Sequence, residues 1–321
     1  MTRSVSSAIA SSLVTADPPV APGRRRKRTD GRLAAALLLP SAVVVFGVVA
    51  WPVARTIWLS LHKVESPLPT APVTWVGIDN YTRALENPDL WAAVGRTVYF
   101  TLLSTGLELG LGILLGLLMA QKLRARWMLR VAVIIPWALP TIVNATMWRY
   151  VFNPQYGPLN AVLTQTHLID EYQSWLGSPF LALNMVILAD VWKNTSVVAF
   201  FVLAGLQVIP TEVLEAAQMD GAGAIRRFFS ITLPLLRPII AIVLVLRTIE
   251  AFKVFDLVYV MTRGGPANGT QTVALLTYQS AFSDQHFGYG SALSILIVLV
   301  IMALAVAYMR LLRVEESRTA T

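Results

Sequence analysis

The 321-residue chain contains no cysteine, which excludes a disulfide framework and thiolate chemistry. Charge is also scarce: 14% of residues, against about 25% in ordinary soluble domains. The three histidines, His62, His167 and His286, lack metal-ligand spacing, so no metal site is expected. No Gly-x-x-x-x-Gly-Lys-Ser/Thr occurs, so this chain is not expected to hold ATP. No nucleophile–base pair is recognisable either, and catalytic residues are expected to be none. What the chain has instead is apolar surface: 55% hydrophobic residues and a mean hydropathy of +0.61. One core of a domain this size cannot bury that much, and lipid is the expected sink.

Crossing a hydrocarbon layer takes about 20 helical residues. Six stretches qualify, near 33–61, 93–121, 131–151, 180–206, 239–262 and 288–312. The fold class expected is therefore an all-α membrane protein with six transmembrane helices. Lys and Arg placement orients it: seventeen lie in 1–32, 122–130, 207–238 and 310–321, whereas the alternate loops hold only Lys63, Arg83 and Arg263. That asymmetry makes both termini cytoplasmic. The basic runs flank spans and carry no interleaved aromatics, so the charge of +8 implies the bilayer and not nucleic acid. Residues 1–31 read as a disordered basic cytoplasmic tail, 32–314 as the membrane domain and 315–321 as a second cytoplasmic tail. The first apolar stretch is too long for a cleavable signal. Aromatics of the external segments, such as Trp75, Trp91 and Tyr172, together with Trp148, Arg149 and Tyr150, read as interfacial anchors.

The cytoplasmic loop 207–238 between the fourth and fifth spans carries the most information. Thr211 after Pro210 reads as a helix cap, with Glu212 and Glu215 in the first turns. Gly221 and Gly223 break that helix, and a basic turn follows before Pro234 and Pro238. Glu215, Ala216 and Ala217, three residues, Gly221, nine residues, then Ile231, Thr232, Leu233 and Pro234 resemble the EAA loop of binding-protein-dependent ABC permeases without a gap. Asp190–Lys193 opening the fourth span, Ala204–Leu206 closing it, Phe255–Asp256 and Thr262–Pro266 resemble the carbohydrate branch. The Gly264–Pro266 stretch with Asn268 and Thr270 looks like the maltose-type first permease of a heterodimeric pair.

That resemblance implies a transmembrane permease subunit of an ATP-driven importer in a bacterial inner membrane. It implies as partners a second homologous permease, an ABC ATPase dimer that uses ATP and Mg, and an extracytoplasmic solute-binding protein. The loop would be the coupling helix, with Glu215 pairing a basic residue of the ATPase, Gly221 permitting the turn and Ala216 and Ala217 allowing close approach. Ile231, Leu233 and Pro234 complete the motif.

Polar groups at bilayer depth are costly unless they face a cavity or a partner. Trp137, Thr141 and Asn144 recur on one face of the third span; Asp190, Lys193 and Asn194 share a face of the fourth; Arg247, Glu250, Lys253 and Asp256 recur every three residues in the fifth. Such amides, hydroxyls and carboxylates beside an aromatic suit a sugar. In the maltose-type permeases the positions matching Trp137 and Thr141 line the solute site; those near Asp190, Asn194, Arg247 and Ala251 align by flanking motifs. Asp190 with Lys193, Glu250 with Arg247, Glu250 with Lys253 and Lys253 with Asp256 are alternatively pairs that only neutralise each other. Disaccharides, oligosaccharides and other polyols, glycerol phosphate included, all fit the branch, and the carboxylates favour a neutral sugar. A proton-coupled secondary transporter, with Asp190, Glu250 or Asp256 titrating, is the alternative, and it leaves the loop unexplained.

Overall fold

The computed structural model describes residues 27–66, 72–121 and 124–319. Residues up to Ala54 form one compact unit and those from Arg55 another. In the first, α1 (Lys27–Val45) is followed by a π-helical turn (Phe46–Ala50). Leu37, Leu38, Leu39, Phe46, Val48 and Trp51 are all exposed there. A helix exposing apolar side chains all round belongs in lipid. The anticipated tail lies outside the described residues as far as 26, and its last residues are the first turns of α1.

Next come α2 (Trp51–Ser60), a two-residue ribbon of β1 (His62–Lys63) and β2 (Thr74–Trp75) pairing antiparallel, and α3 (Asp79–Glu86). Then α4 (Pro88–Ala120) starts from an Asn87 cap whose side chain accepts from the Asp89 N–H at 2.9 Å. It is followed by α5 (Arg126–Ala138), α6 (Thr141–Val151), α7 (Pro158–Gln165) and α8 (Pro179–Val208). The chain ends with α9 (Thr211–Met219), α10 (Ala224–Arg227), α11 (Leu233–Phe252), α12 (Asp256–Met261), α13 (Val273–Tyr278) and α14 (Phe287–Thr319). Among the described residues five helices are long and apolar enough to cross a membrane, or six if α5 and α6 count as one broken span. The segment expected as the closing tail continues α14 as far as Thr319.

Two expected spans are interrupted. Between α5 and α6 the axis turns by 99°. Leu139 is extended (φ −74°, ψ 134°) because a residue before proline is driven out of the helical region, and Pro140 follows. The fifth span ends at Phe252; Phe255 (φ −133°, ψ −61°) breaks the helix before α12.

The central contact is α4 against α8. Gly112 and Gly116, one turn apart on α4, face Val198 and Val202 of α8, and a Cβ on either glycine would lie 2.5–2.6 Å from those valines. Small residues four apart let two helices approach where no hydrophobic effect drives them together. The same side of α4 buries Thr97, Thr101, Ser104, Thr105 and Glu108. In α7, fully buried Asn160 acts as a hub for the loop before α8: Oδ1 accepts from the Trp175 indole at 2.9 Å and the Gln173 N–H at 3.1 Å, and Nδ2 donates to the Gln173 carbonyl at 3.0 Å. Trp148 packs half-buried against Phe152 and Trp192.

Candidate functional site: a charged cavity and an exposed loop

A cavity of about 720 Å³ is lined by α5, α6, α8, α11 and α12. Trp137, Thr141, Asn144, Asp190, Asn194, Arg247 and Glu250 all border it, with Lys193, Lys253 and Asp256. Trp137 and Thr141 reach it from two helices and not from one helical face, since the Pro140 bend separates them. Asp190 and Lys193 lie well inside α8 and do not open it.

Most of these polar side chains have a partner on the wall. Lys193 Nζ donates to Thr141 Oγ1 at 2.7 Å and so ties α8 to α6. Asn144, fully buried, donates to the Ala189 carbonyl at 3.3 Å. Asn194 Nδ2 donates to Asp190 Oδ1 at 2.8 Å. Glu250 pairs with Lys253 at 2.9 Å, and both are about half exposed. Phe255, on the cavity edge, stacks on Tyr259 with centroids 5.4 Å apart, giving an aromatic face beside these polar groups.

The pairing of Arg247 differs from expectation. Its Nε donates to Glu108 Oε2 at 2.7 Å and its Nη2 to Glu108 Oε1 at 3.0 Å, a two-point ion pair, while Asp190 Oδ2 lies 3.5 Å from Nη2. Glu250 is not the partner. Sequence reasoning passed over Glu108, yet a signal was present: it is the one charged residue between Arg96 and Lys122. A carboxylate alone in an apolar span is the kind of group that needs a buried counter-charge.

The second candidate surface is the loop from α9 to α11. Thr211 is the first helical residue and Pro210 occupies the cap position, so no side chain caps α9. At the other end Gly221 takes φ +77°; the Ala222 N–H bonds to the Ala217 carbonyl and the Gly221 N–H to that of Gln218. This closure satisfies the last helical carbonyls and needs a residue that tolerates positive φ. Ala217 is buried, whereas Glu215 and Ala216 face outward. Beside them Met219, Ile225 and Phe229 are 88%, 76% and 62% exposed. Ile231, Leu233 and Pro234 are half-buried where the chain rises through a π-helical turn into α11.

Residues 112–320 match the family described as the binding-protein-dependent transport system inner membrane component. The chain belongs to that family. Among inner membrane components of such systems it is 39% identical to the trehalose/maltose transport system permease protein of Thermococcus litoralis, over 88% of this chain and 95% of the other. It is 38% identical to the sulfoquinovosyl glycerol transport system permease protein of Agrobacterium fabrum, over 89% and 92%. A crystal structure of a bacterial ABC transporter involved in import of the acidic polysaccharide alginate shares the fold, with a TM-score of 0.76 at 21% identity over 89% of this chain and 96% of that one. This inner membrane component is thus a multi-pass transport subunit.

Proposed function

We propose that the chain is the membrane-spanning permease subunit of an ATP-driven sugar importer and that the charged cavity receives the solute. The observation that carries the reading is the convergence of indole, amide, hydroxyl and carboxylate groups from five helices on one cavity of about 720 Å³. Cavities of roughly 300–1,000 Å³ hold small ligands, and a disaccharide falls in that range. Its hydroxyls both donate and accept, which matches Asn144, Asn194 and Thr141, and its ring faces match Trp137 and Phe255. The substrates that name the relatives, the neutral trehalose and maltose and the sulfonated, anionic sulfoquinovosyl glycerol, support a sugar or glycoside and leave its charge to be set by individual side chains.

The exposed loop around Glu215 serves as the dock for a separate ATPase, which binds the ATP and Mg. Its outward apolar side chains, Met219, Ile225 and Phe229, interspersed with Glu212, Glu215 and Asp220, have the makeup of a surface that is covered in the assembly. A second homologous permease and an external solute-binding protein complete the transporter in the bacterial inner membrane, with the loop on the cytoplasmic side. ATP-driven closure of the ATPase moves the loop, and the helices bordering the cavity change its access.

Uptake of a labelled disaccharide panel, by cells carrying the wild-type chain or a Glu215→Lys, Gly221→Asp double variant, tests the reading. Entry of one sugar, abolished by the loop changes at unchanged membrane level, supports it. Uptake that survives the loop changes and collapses with an uncoupler overturns it.

A further inference from the structure

Glu108 does not border the cavity. It is fully buried on α4, behind the wall, and both its oxygens engage Arg247, which is only 7% exposed and does border it. A guanidinium recognises a carboxylate or phosphate through two parallel N–H donors on one edge. The Nε–Nη2 edge of Arg247 is already held by Glu108, and Asp190 lies against the same Nη2. The other two cations on the wall are engaged too, Lys193 with Thr141 and Lys253 with Glu250. In formal charge, three carboxylates (Asp190, Glu250, Asp256) balance three cations (Lys193, Arg247, Lys253) on the lining, so Glu108 behind them leaves one carboxylate in excess.

We propose that Glu108 sets the charge preference of the cavity by withholding Arg247 from the solute, so that the site takes a neutral polyhydroxy solute and turns anionic ones away. This rests on the cavity being the solute site. Glu108 acts through Arg247 and is a positioning residue. Arg247, although it borders the cavity, holds the wall together and contributes no direct charge to recognition. Sharing a fold with an importer of an acidic polysaccharide makes charge preference a property of a few side chains and not of the helix arrangement.

The test uses the complete transporter in lipid nanodiscs, without the external binding protein, so that only the membrane site discriminates. Equilibrium binding of radiolabelled maltose and trehalose is compared with that of their 6-phosphates. Wild type should bind a neutral sugar at least about tenfold more tightly than its phosphate, the scale of one charge-assisted contact. Glu108→Gln, which keeps the shape and removes the charge, should shrink that ratio about tenfold, while Glu108→Asp should preserve it. Glu108→Gln with Arg247→Gln should restore the wild-type ratio, because no guanidinium remains to be released; this variant decides the matter if Glu108→Gln alone does not assemble. A Glu108→Gln ratio equal to wild type, or a double variant that loses neutral-sugar binding more than tenfold, overturns the proposal. Trp137→Ala separates the two levels. If it leaves neutral-sugar binding untouched, the cavity reading fails and takes this proposal with it. If it weakens that binding while the Glu108 ratio stays fixed, only the proposal fails.

Discussion

Gly112 of α4 and Val198 of α8 stand so close that a Cβ on the glycine would lie 2.5 Å from the valine Cβ. Backbone contact of this kind leaves no room for a methyl group, so Gly112→Ala should destabilise the complex by about 1–3 kcal/mol. Gly110, with open space around its Cα, should accept alanine without effect. Thermal unfolding of the two purified variants in the same detergent makes the comparison. Equal midpoints would mean that α4 and α8 are farther apart than described.

The Glu108–Arg247 ion pair should behave as a buried pair whose halves depend on each other. Arg247→Met leaves a carboxylate without its two donors and should cost about 3–5 kcal/mol, whereas adding Glu108→Leu should recover most of that loss. A double-mutant cycle on unfolding midpoints measures the coupling. Additive single effects would show that the pair contributes nothing of its own.

Positive φ at Gly221 closes α9. Gly221→Ala should cost about 1 kcal/mol locally and reduce uptake without lowering membrane level. Gly223, at φ −64° with nothing near its Cα, should tolerate alanine. Solute-driven ATP hydrolysis in proteoliposomes distinguishes the two: loss at position 221 alone is the expected pattern.

Buried Asn160 joins half-buried Trp175 and exposed Gln173 through three hydrogen bonds. Asn160→Ala leaves the half-buried Trp175 indole N–H without its partner, at about 1–3 kcal/mol, and frees the Gln173 N–H and carbonyl, which are exposed enough to turn to water. Faster proteolysis between α7 and α8, with a lowered unfolding midpoint, is the expected signature.

Much of this architecture was legible in the primary structure because lipid imposes a length and polarity rule on each span. The stretches behind α4, α8 and α14 are long, continuous and apolar, and all three are single helices. The third and fifth were harder. Pro140 and Pro136 were visible in the sequence, but whether a proline bends a helix by 99° depends on what neighbouring helices allow, here the Lys193–Thr141 and Asn144–Ala189 bonds. The cavity lining was legible as a set of costly polar residues, whereas the pairing among them was not. Spacing along one helix suggested Arg247 with Glu250, while the nearest carboxylate came from α4, outside any local pattern.

That pairing has a consequence for biosynthesis. Glu108 precedes Arg247 by 139 residues. At about 5–20 residues per second the ribosome takes roughly seven to thirty seconds to make the arginine after the glutamate. For that interval the Glu108 carboxylate on α4 is without the Arg247 guanidinium that holds both its oxygens in the folded chain. Only when α11 arrives can Glu108 form its two-point ion pair, so the packing of α4 is completed after the fifth span is made. Membrane insertion and tertiary assembly are therefore joined here in time as well as in space, through a single side chain near the middle of the second span.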